Sequence, residues 1–210
     1  MLRMIHEHED PALMERVWRF RHTRFVEQLG WNELRRPDGR ERDRFDNETA
    51  IHIVLLHDDT VVGYSRLLPT TSPHLATDIY RDASLESPSG PGVFEWTRCA
   101  TALNAPSING ISASDVLMTG VLECLLQLNV EEILFLTYPQ LIRMMKKRGY
   151  PVRVLASFSV ENNKTVQLAA AKLSSDLLQR HRQRYGIHQP LLASDNLLDA
   201  GVQERFPTPA

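Results

Sequence analysis

Residues 51–68, IHIVLLHDDTVVGYSRLL, decide the fold class. Two apolar, β-branched runs flank the turn residues DDT, which reads as an antiparallel hairpin. Period 2 in its second strand places Val62, Tyr64 and Arg66 on one face. Upstream, Asp10-Pro11 opens a helix as N-cap and first-turn proline, and the helix is expected to run to about Leu29, before Gly30. Residues 30–50 are polar and expected to be irregular. Downstream, residues 69–92 are rich in Pro, Ser, Thr and Gly and read as a long connection. Strand VFEWTRCA (93–100), a helix from about Ser112 to Leu128, strand EILFLT (132–137), a helix around QLIRMMKKRG and strand VRVLASFSV (152–160) follow. TVQLAAAKL fits strand or helix, SSDLLQRHRQRYG is helical, and the tail from about residue 205 is expected to be loose. An antiparallel hairpin followed by alternating strands and helices implies a mixed sheet covered by helices. The expected fold is α/β, of the α+β mixed-sheet kind: a single three-layer α-β-α domain over residues 1–210.

The chain has 210 residues, 42% of them apolar, and a formal net charge of -2. That supports a real core and gives no basic field for nucleic acid. Cys99 and Cys124 lie in apolar surroundings without metal-ligand spacing, and no disulfide is expected. The start MLRMIHEHED is too charged for a signal peptide, and no apolar run approaches a membrane span, so a cytoplasmic location is expected. The phosphate-binding loops GxGxxG and GxxxxGK[ST] are missing, as are HExxH and GxSxG. The histidines are scattered, so no metal site is expected.

Charge is concentrated elsewhere. GRERDRFDNE (39–48) packs Glu41, Asp43, Asp46 and Glu48 among three arginines around Phe45. Met14, Val17, Trp18, Arg21 and Phe25 share one face of the first helix, so Arg21 interrupts an apolar stripe. Either it finds an anionic partner or it snorkels to the edge. Arg66 and Arg98 sit among apolar neighbours on separate strands. Glu95 lies three residues before Arg98, on the opposite face of a regular strand, and a bulge near Trp96 or Thr97 would bring the two together. Arg21, Arg66 and Arg98 against Glu41, Asp43, Asp46 and Glu95 make a mixed field suited to a ligand carrying both an amine and a carboxylate.

The ordered pattern Arg21-x-x-x-Phe25, Trp31, Glu41-x-Asp43-x-x-Asp46, Arg66, Glu95-x-x-Arg98 closely resembles the acyl-homoserine lactone synthases of the LuxI type, and the resemblance covers roughly residues 15–160. It implies a fold like that of the acetyltransferases related to histone acetylases (GNAT), although this chain lacks their [QR]xxGx[GA] pyrophosphate loop. It implies that S-adenosylmethionine is a substrate, with no permanently bound cofactor. The acyl donor is a thioester of acyl carrier protein or coenzyme A. The amine of S-adenosylmethionine attacks the thioester, and the methionyl carboxylate then displaces methylthioadenosine to close the lactone.

Glu41 and Glu95 are the candidates for taking the amine proton, with Arg98 beside them. Arg21, Arg66, Asp43 and Asp46 are expected to frame the substrate, Trp31 to lie against its adenosyl or sulfonium part, and Phe25 to support the wall. Backbone N–H groups at a bulge near residues 96–99 are candidates for the thioester oxyanion. Leu134 and Thr137 fall where members making 3-oxo products often carry threonine and serine. The leucine argues for an unsubstituted, branched or aromatic acyl group. Trp96 and Phe135 are bulky enough to narrow the acyl channel, and of Leu134 and Phe135 at most one lines it. Arg143, Lys146, Lys147 and Arg148 form a basic cluster where the family docks its acidic carrier protein; helix-end charge alone is the plainer reading. The competing functions are a GNAT-like N-acyltransferase acting on another amine and a non-catalytic S-adenosylmethionine-binding domain. Oligomeric state is not legible.

Overall fold

A computed structural model describes residues 1–79, 87–160 and 164–192. Seven strands form one sheet in the order β1-β2-β3-β4-β5-β7-β6. In chain order they are β1 (Leu2–Ile5), β2 (Ile51–His57), β3 (Thr60–Pro69), β4 (Val93–Thr101), β5 (Glu132–Thr137), β6 (Val152–Val160) and β7 (Lys164–Lys172). The helices are α1 (Pro11–Arg21), α2 (Leu75–Ile79), α3 (Ala113–Gln127), α4 (Pro139–Lys147) and α5 (Ser175–Tyr185). β4 and β5 run parallel and every other neighbouring pair runs antiparallel, so the sheet is mixed.

Local chemistry sets the element ends. Asp58 and Asp59 both take positive φ, 45° and 60°. That backbone closes a two-residue hairpin with the right twist, and aspartate tolerates it better than most residues. The Asp10 carboxylate accepts the Leu13 N–H at 2.9 Å and starts α1. The helix does not continue regularly to Leu29. It widens at His22 into a π-helical stretch, His22–Gln28, before Gly30 at φ 74° turns the chain. Ser112 caps α3 by accepting the Asp115 N–H.

The two sheet faces bury different partners. Ile51, Ile53 and Leu55 of β2 join Leu117, Val121 and Leu125 of α3 in the large core. Val54 and Leu56 point the other way, onto Leu13, Val17 and Trp18 of α1. Helices therefore cover both faces. One strand goes unanticipated, one ambiguity is resolved and one expectation fails. Leu2–Ile5 forms an edge strand on β2, too short to show a period beside the charged residues that follow. The ambiguous TVQLAAAKL is strand, bound between β5 and β6. Period 2 fails at Val62: a register shift opposite Leu55–Leu56 leaves Val61 with Tyr64 on the α1 side and turns Val62 into the α3 core. Cys99 and Cys124 are both free. No helix among the described residues is long and apolar enough to cross a membrane. The expected loose tail lies outside the described residues.

Candidate active site

Arg21 does not snorkel. It is fully buried, its guanidinium 5.0 Å from the centre of the Trp18 ring, and its Nε donates to Glu41 at 2.6 Å while Nη1 donates to Asp46 at 2.7 Å. Arg66, also fully buried on β3, donates to Asp46 at 2.8 Å and to both Asp43 oxygens at 2.6 and 3.0 Å. Arg98 of β4 reaches Asp43 at 3.0 Å and both Glu41 oxygens at 3.2 Å. The six side chains form a closed ring of alternating charge: Arg21, Asp46, Arg66, Asp43, Arg98, Glu41 and back to Arg21. Burial would raise each carboxylate, but the paired arginines outweigh it and hold Glu41, Asp43 and Asp46 below their ordinary pKa values.

The acidic segment is rigid as well as charged. The Glu41 N–H donates to the Trp18 carbonyl at 3.1 Å, pinning the loop to α1. Asp46 accepts the Asp43 N–H at 2.8 Å, and Asp43 accepts the Phe45 N–H at 2.9 Å. Phe45 is the loop's apolar anchor, buried against Ala50 and Leu68 beneath Arg66. Glu48 faces solvent. Within the ring only the Asp43 side chain keeps substantial exposure, 18%, against 1% for Glu41 and 0% for Asp46.

The expected irregularity in β4 is present one residue later than Trp96 or Thr97. Thr97 pairs with Arg66 and Ala100 with Tyr64, so Arg98 and Cys99 together oppose the single residue Ser65. Arg98 takes φ 55°, a left-handed conformation costly for any residue with a Cβ and usual for glycine at such bulges. The extra residue turns Arg98 onto the face of Arg66, Thr97 and Glu95. Glu95 itself is fully buried and accepts the N–H groups of Leu75 and Ala76 at 2.7 and 2.9 Å. Burial pushes its pKa up to about 7 despite those two bonds and the nearby Arg66 and Arg98 charges. Among the described residues Glu95 makes no ion pair, in contrast to the three ring acids.

Trp31 stacks on Phe25 at 5.0 Å between ring centres, and the Arg98 guanidinium lies 5.4 Å from the Trp31 ring and 5.7 Å from Phe25. The two aromatics expected near the substrate thus build one wall, already faced by a protein cation. The acyl-side candidates divide. Trp96 and Phe135 lie in the large core on the α3 side, whereas Leu134 pairs with Glu95 and shares its face. The β4–β5 pairing ends at Glu95–Leu134, and the strands separate beyond it. Cys99 keeps accessible surface on that stretch, while desolvation of its sulfur pushes the thiol up to about 11 against the opposing contacts with Ser65 and Trp96. Arg143, Lys147 and Arg148 border one hollow, and Lys146 does not.

Several contributing groups were not singled out by the sequence. Thr97 accepts from Arg66 Nε at 3.0 Å. Behind Arg21, Tyr64 lies 2.7 Å from His52 Nδ1; burial pushes His52 down to about 3, so the ring is neutral and shares a hydrogen bond with the phenol. The Leu75 and Ala76 N–H groups come from the long connection after β3. Tyr64 was marked as sharing a face with Arg66, a usable signal for its place behind the ring. The remaining pairings depend on register and on chain segments distant in sequence.

The autoinducer synthase family matches residues 5–181 of this chain. An isovaleryl-homoserine lactone synthase from Bradyrhizobium diazoefficiens is 41% identical over 95 residues, covering 44% of this chain and 42% of that protein. An acyl-homoserine-lactone synthase from Ralstonia nicotianae is 32% identical over 138 residues, covering 62% of this chain and 67% of that protein. The solved structure of BjaI, a CoA-dependent acyl-homoserine lactone synthase with SAM and isopentyl-CoA, superposes with TM-score 0.82 at 27% identity over 90% of this chain and 91% of the other. The chain belongs to the autoinducer synthase family, the LuxI-type acyl-homoserine lactone synthases.

Proposed function

We infer that this protein makes an acyl-homoserine lactone from S-adenosylmethionine and an acyl thioester, releasing methylthioadenosine, and that it works in quorum sensing. The reading takes the chain as one three-layer α-β-α domain, acting in the cytoplasm where both substrates are made. The observation that carries the site assignment is the contrast between Glu95 and the ring acids. Glu41, Asp43 and Asp46 are consumed by arginines, and a carboxylate held that acidic is a poor proton acceptor. Glu95 is buried, without an ion pair among the described residues, and raised to about 7, where it exchanges a proton at neutral pH.

In this reading Glu95 takes one proton from the substrate ammonium. The freed amine attacks the thioester carbonyl. Backbone N–H groups of β4 beyond its last β5 pairing face the developing oxyanion, and collapse expels the thiolate, which takes the second proton lost by the attacking nitrogen. The methionyl carboxylate then attacks the γ-carbon; the carbon–sulfur bond breaks and methylthioadenosine leaves with the electron pair. The neutral ring serves as a rigid template. Asp43 and Arg98, its least buried members, present the groups nearest the substrate's own charges, and Trp31 and Phe25 wall the adenosyl side. Leu134, beside Glu95, is the acyl-chain contact, while Trp96 and Phe135 shape the opposite side of the strand opening. The isovaleryl product in one relative's name and the isopentyl-CoA bound in a solved structure support a short branched acyl chain.

The test is product mass. Purified protein given S-adenosylmethionine and a panel of acyl-CoA and acyl-carrier-protein thioesters should release methylthioadenosine and an acyl-homoserine lactone. Folded protein that yields neither with any donor overturns the reading.

A further inference from the structure

We propose that the first turn of α2 positions Glu95 for proton transfer, and that Arg44 and Asp78 tie that turn to the segment framing S-adenosylmethionine. This rests on the lactone-synthase reading and adds to it a link between the substrate pocket and the base. The Leu75 N–H donates to one Glu95 carboxylate oxygen at 2.7 Å, and the Ala76 N–H donates to the other at 2.9 Å. A glutamate side chain is long and rich in rotamers, and bonding both oxygens to consecutive amides holds it in one of them. A carboxylate offers about four acceptor positions, so two remain for the substrate amine. α2 is itself held firmly. Leu75 packs on Phe45, Ala50 and Leu68, and Ala76 is 2% exposed. Thr77 Oγ1 donates to the His74 carbonyl at 2.6 Å and accepts the His74 N–H at 3.3 Å, closing the turn that enters the helix.

The far side of α2 carries Asp78, which pairs with Arg44. Arg44 and Phe45 lie in the chain between Asp43 and Asp46 of the ring. The stretch that frames the substrate therefore grips α2 twice, through Phe45 against Leu75 and through Arg44 against Asp78. A shift of that stretch on substrate binding reaches Glu95 through packed and paired side chains. Among the described residues, the charges that act on Glu95 are Arg66 of β3 and Arg98 of β4, and both are bonded to Asp43. β5 contributes Leu134 beside it. On the α2 side Asp78 turns to Arg44, and His74 Nδ1 donates to the Ser72 carbonyl at 2.9 Å. The two N–H groups are thus a contact at Glu95 that a backbone change removes without altering any residue of the ring. Both bonds favour the charged carboxylate, so losing one raises the pH at which Glu95 ionises.

Proline suits the first position of a helix and has no N–H. Leu75→Pro therefore deletes one of the two bonds, whereas Leu75→Ala removes the side chain and keeps the N–H. The pH–rate midpoint of Leu75→Pro should lie about one unit above that of Leu75→Ala, with KM for S-adenosylmethionine equal within about twofold. Asp78→Arg should lower kcat by about two- to fivefold, the scale of an exposed ion pair, and adding Arg44→Asp should restore it. In the unaltered protein, the amide proton shifts of Leu75 and Ala76 followed by NMR should titrate with Glu95, a reading that stands even where Leu75→Pro does not fold. Coincident midpoints for Leu75→Pro and Leu75→Ala, or amide shifts that do not titrate, overturn the positioning role. No loss in Asp78→Arg, or no recovery in the double variant, overturns the tie to Arg44. Methylthioadenosine release by the unaltered protein is read separately, so failure of this proposal and failure of the lactone-synthase reading remain distinguishable.

Discussion

The molecule carries two concentrations of charge that look alike in sequence and behave oppositely in the fold. On the α1 side, three arginines and three carboxylates close into a buried ring with every charge matched. On the α3 side, four cations surround one carboxylate in an open hollow. Burial with full pairing yields a rigid template whose members are locked into one protonation state, because desolvation is costly unless each charge is answered. Exposure with an excess of one sign leaves electrostatic attraction to be satisfied by a ligand. Local composition does not separate these cases; partner count and depth do.

The sharpest way to break the comparison is to unbalance the ring. Asp46→Ala removes the carboxylate shared by Arg21 and Arg66 and leaves each buried guanidinium with a single carboxylate partner, Glu41 and Asp43 respectively. It should cost about 3–5 kcal/mol of stability, read as a lowered denaturant midpoint. A loss below about 1 kcal/mol, the scale of a surface pair, would show the ring to be solvated in solution.

Glu95→Gln tests the carboxylate outside the ring. Turnover at saturating S-adenosylmethionine should fall by about 10²–10⁴-fold, with a much smaller change in substrate affinity. Near-normal turnover would move proton transfer to water or to Glu41.

The two kinds of acid also titrate in opposite senses. Turnover should rise through pH about 7 as Glu95 ionises, and level off above it. Glu95 is raised in the fold, so its contribution to stability is fully present below its unfolded pKa and is lost as pH rises through about 7. Glu41, Asp43 and Asp46 are lowered, so theirs is present above the unfolded carboxylate range and is lost as pH falls through their folded values. Denaturant midpoints across pH should therefore decline on the acid side, and Glu95→Gln should remove a shallow decline between the unfolded carboxylate pKa and neutrality. A pH–rate profile flat across neutrality would remove Glu95 as the base.

Salt should produce the smallest effect and separate the regions most cleanly. If the hollow receives the acyl donor, raising ionic strength from about 0.05 to 0.5 M should weaken the donor's apparent affinity by screening it, while the denaturant midpoint changes little because the ring is buried. Equal sensitivity of both quantities would erase the distinction.

Sequence made much of this visible. The hairpin at 51–68 and the cap at Asp10 depend on local propensity and came through with their boundaries nearly intact. Arg21 announced itself by interrupting an apolar stripe, and the acids at 41, 43 and 46 by their density. What stayed hidden was register. Val62 was assigned a face by period 2 and lies on the other, because one extra residue in β3 resets the alternation. The hollow was half visible as a basic run, but Arg184 and Asp115 join it from distant parts of the chain. The fact that Lys146 stands apart is a matter of helix phase. The two N–H groups held by Glu95 come from a connection whose sequence shows only that it is irregular.

The bulge at Arg98 and Cys99 makes part of the site a matter of counting. Between its pairings with β3, β4 uses three steps where β3 uses two, and that surplus directs the Arg98 guanidinium toward Glu41 and Asp43. Removing Cys99 would leave every ring residue and Glu95 in the chain, yet it would restore an even alternation and send Arg98 to the opposite face. Chain length at this one point is thus as much a determinant of the site as any side chain. Two relatives can share all of these residues and still differ in whether the ring closes.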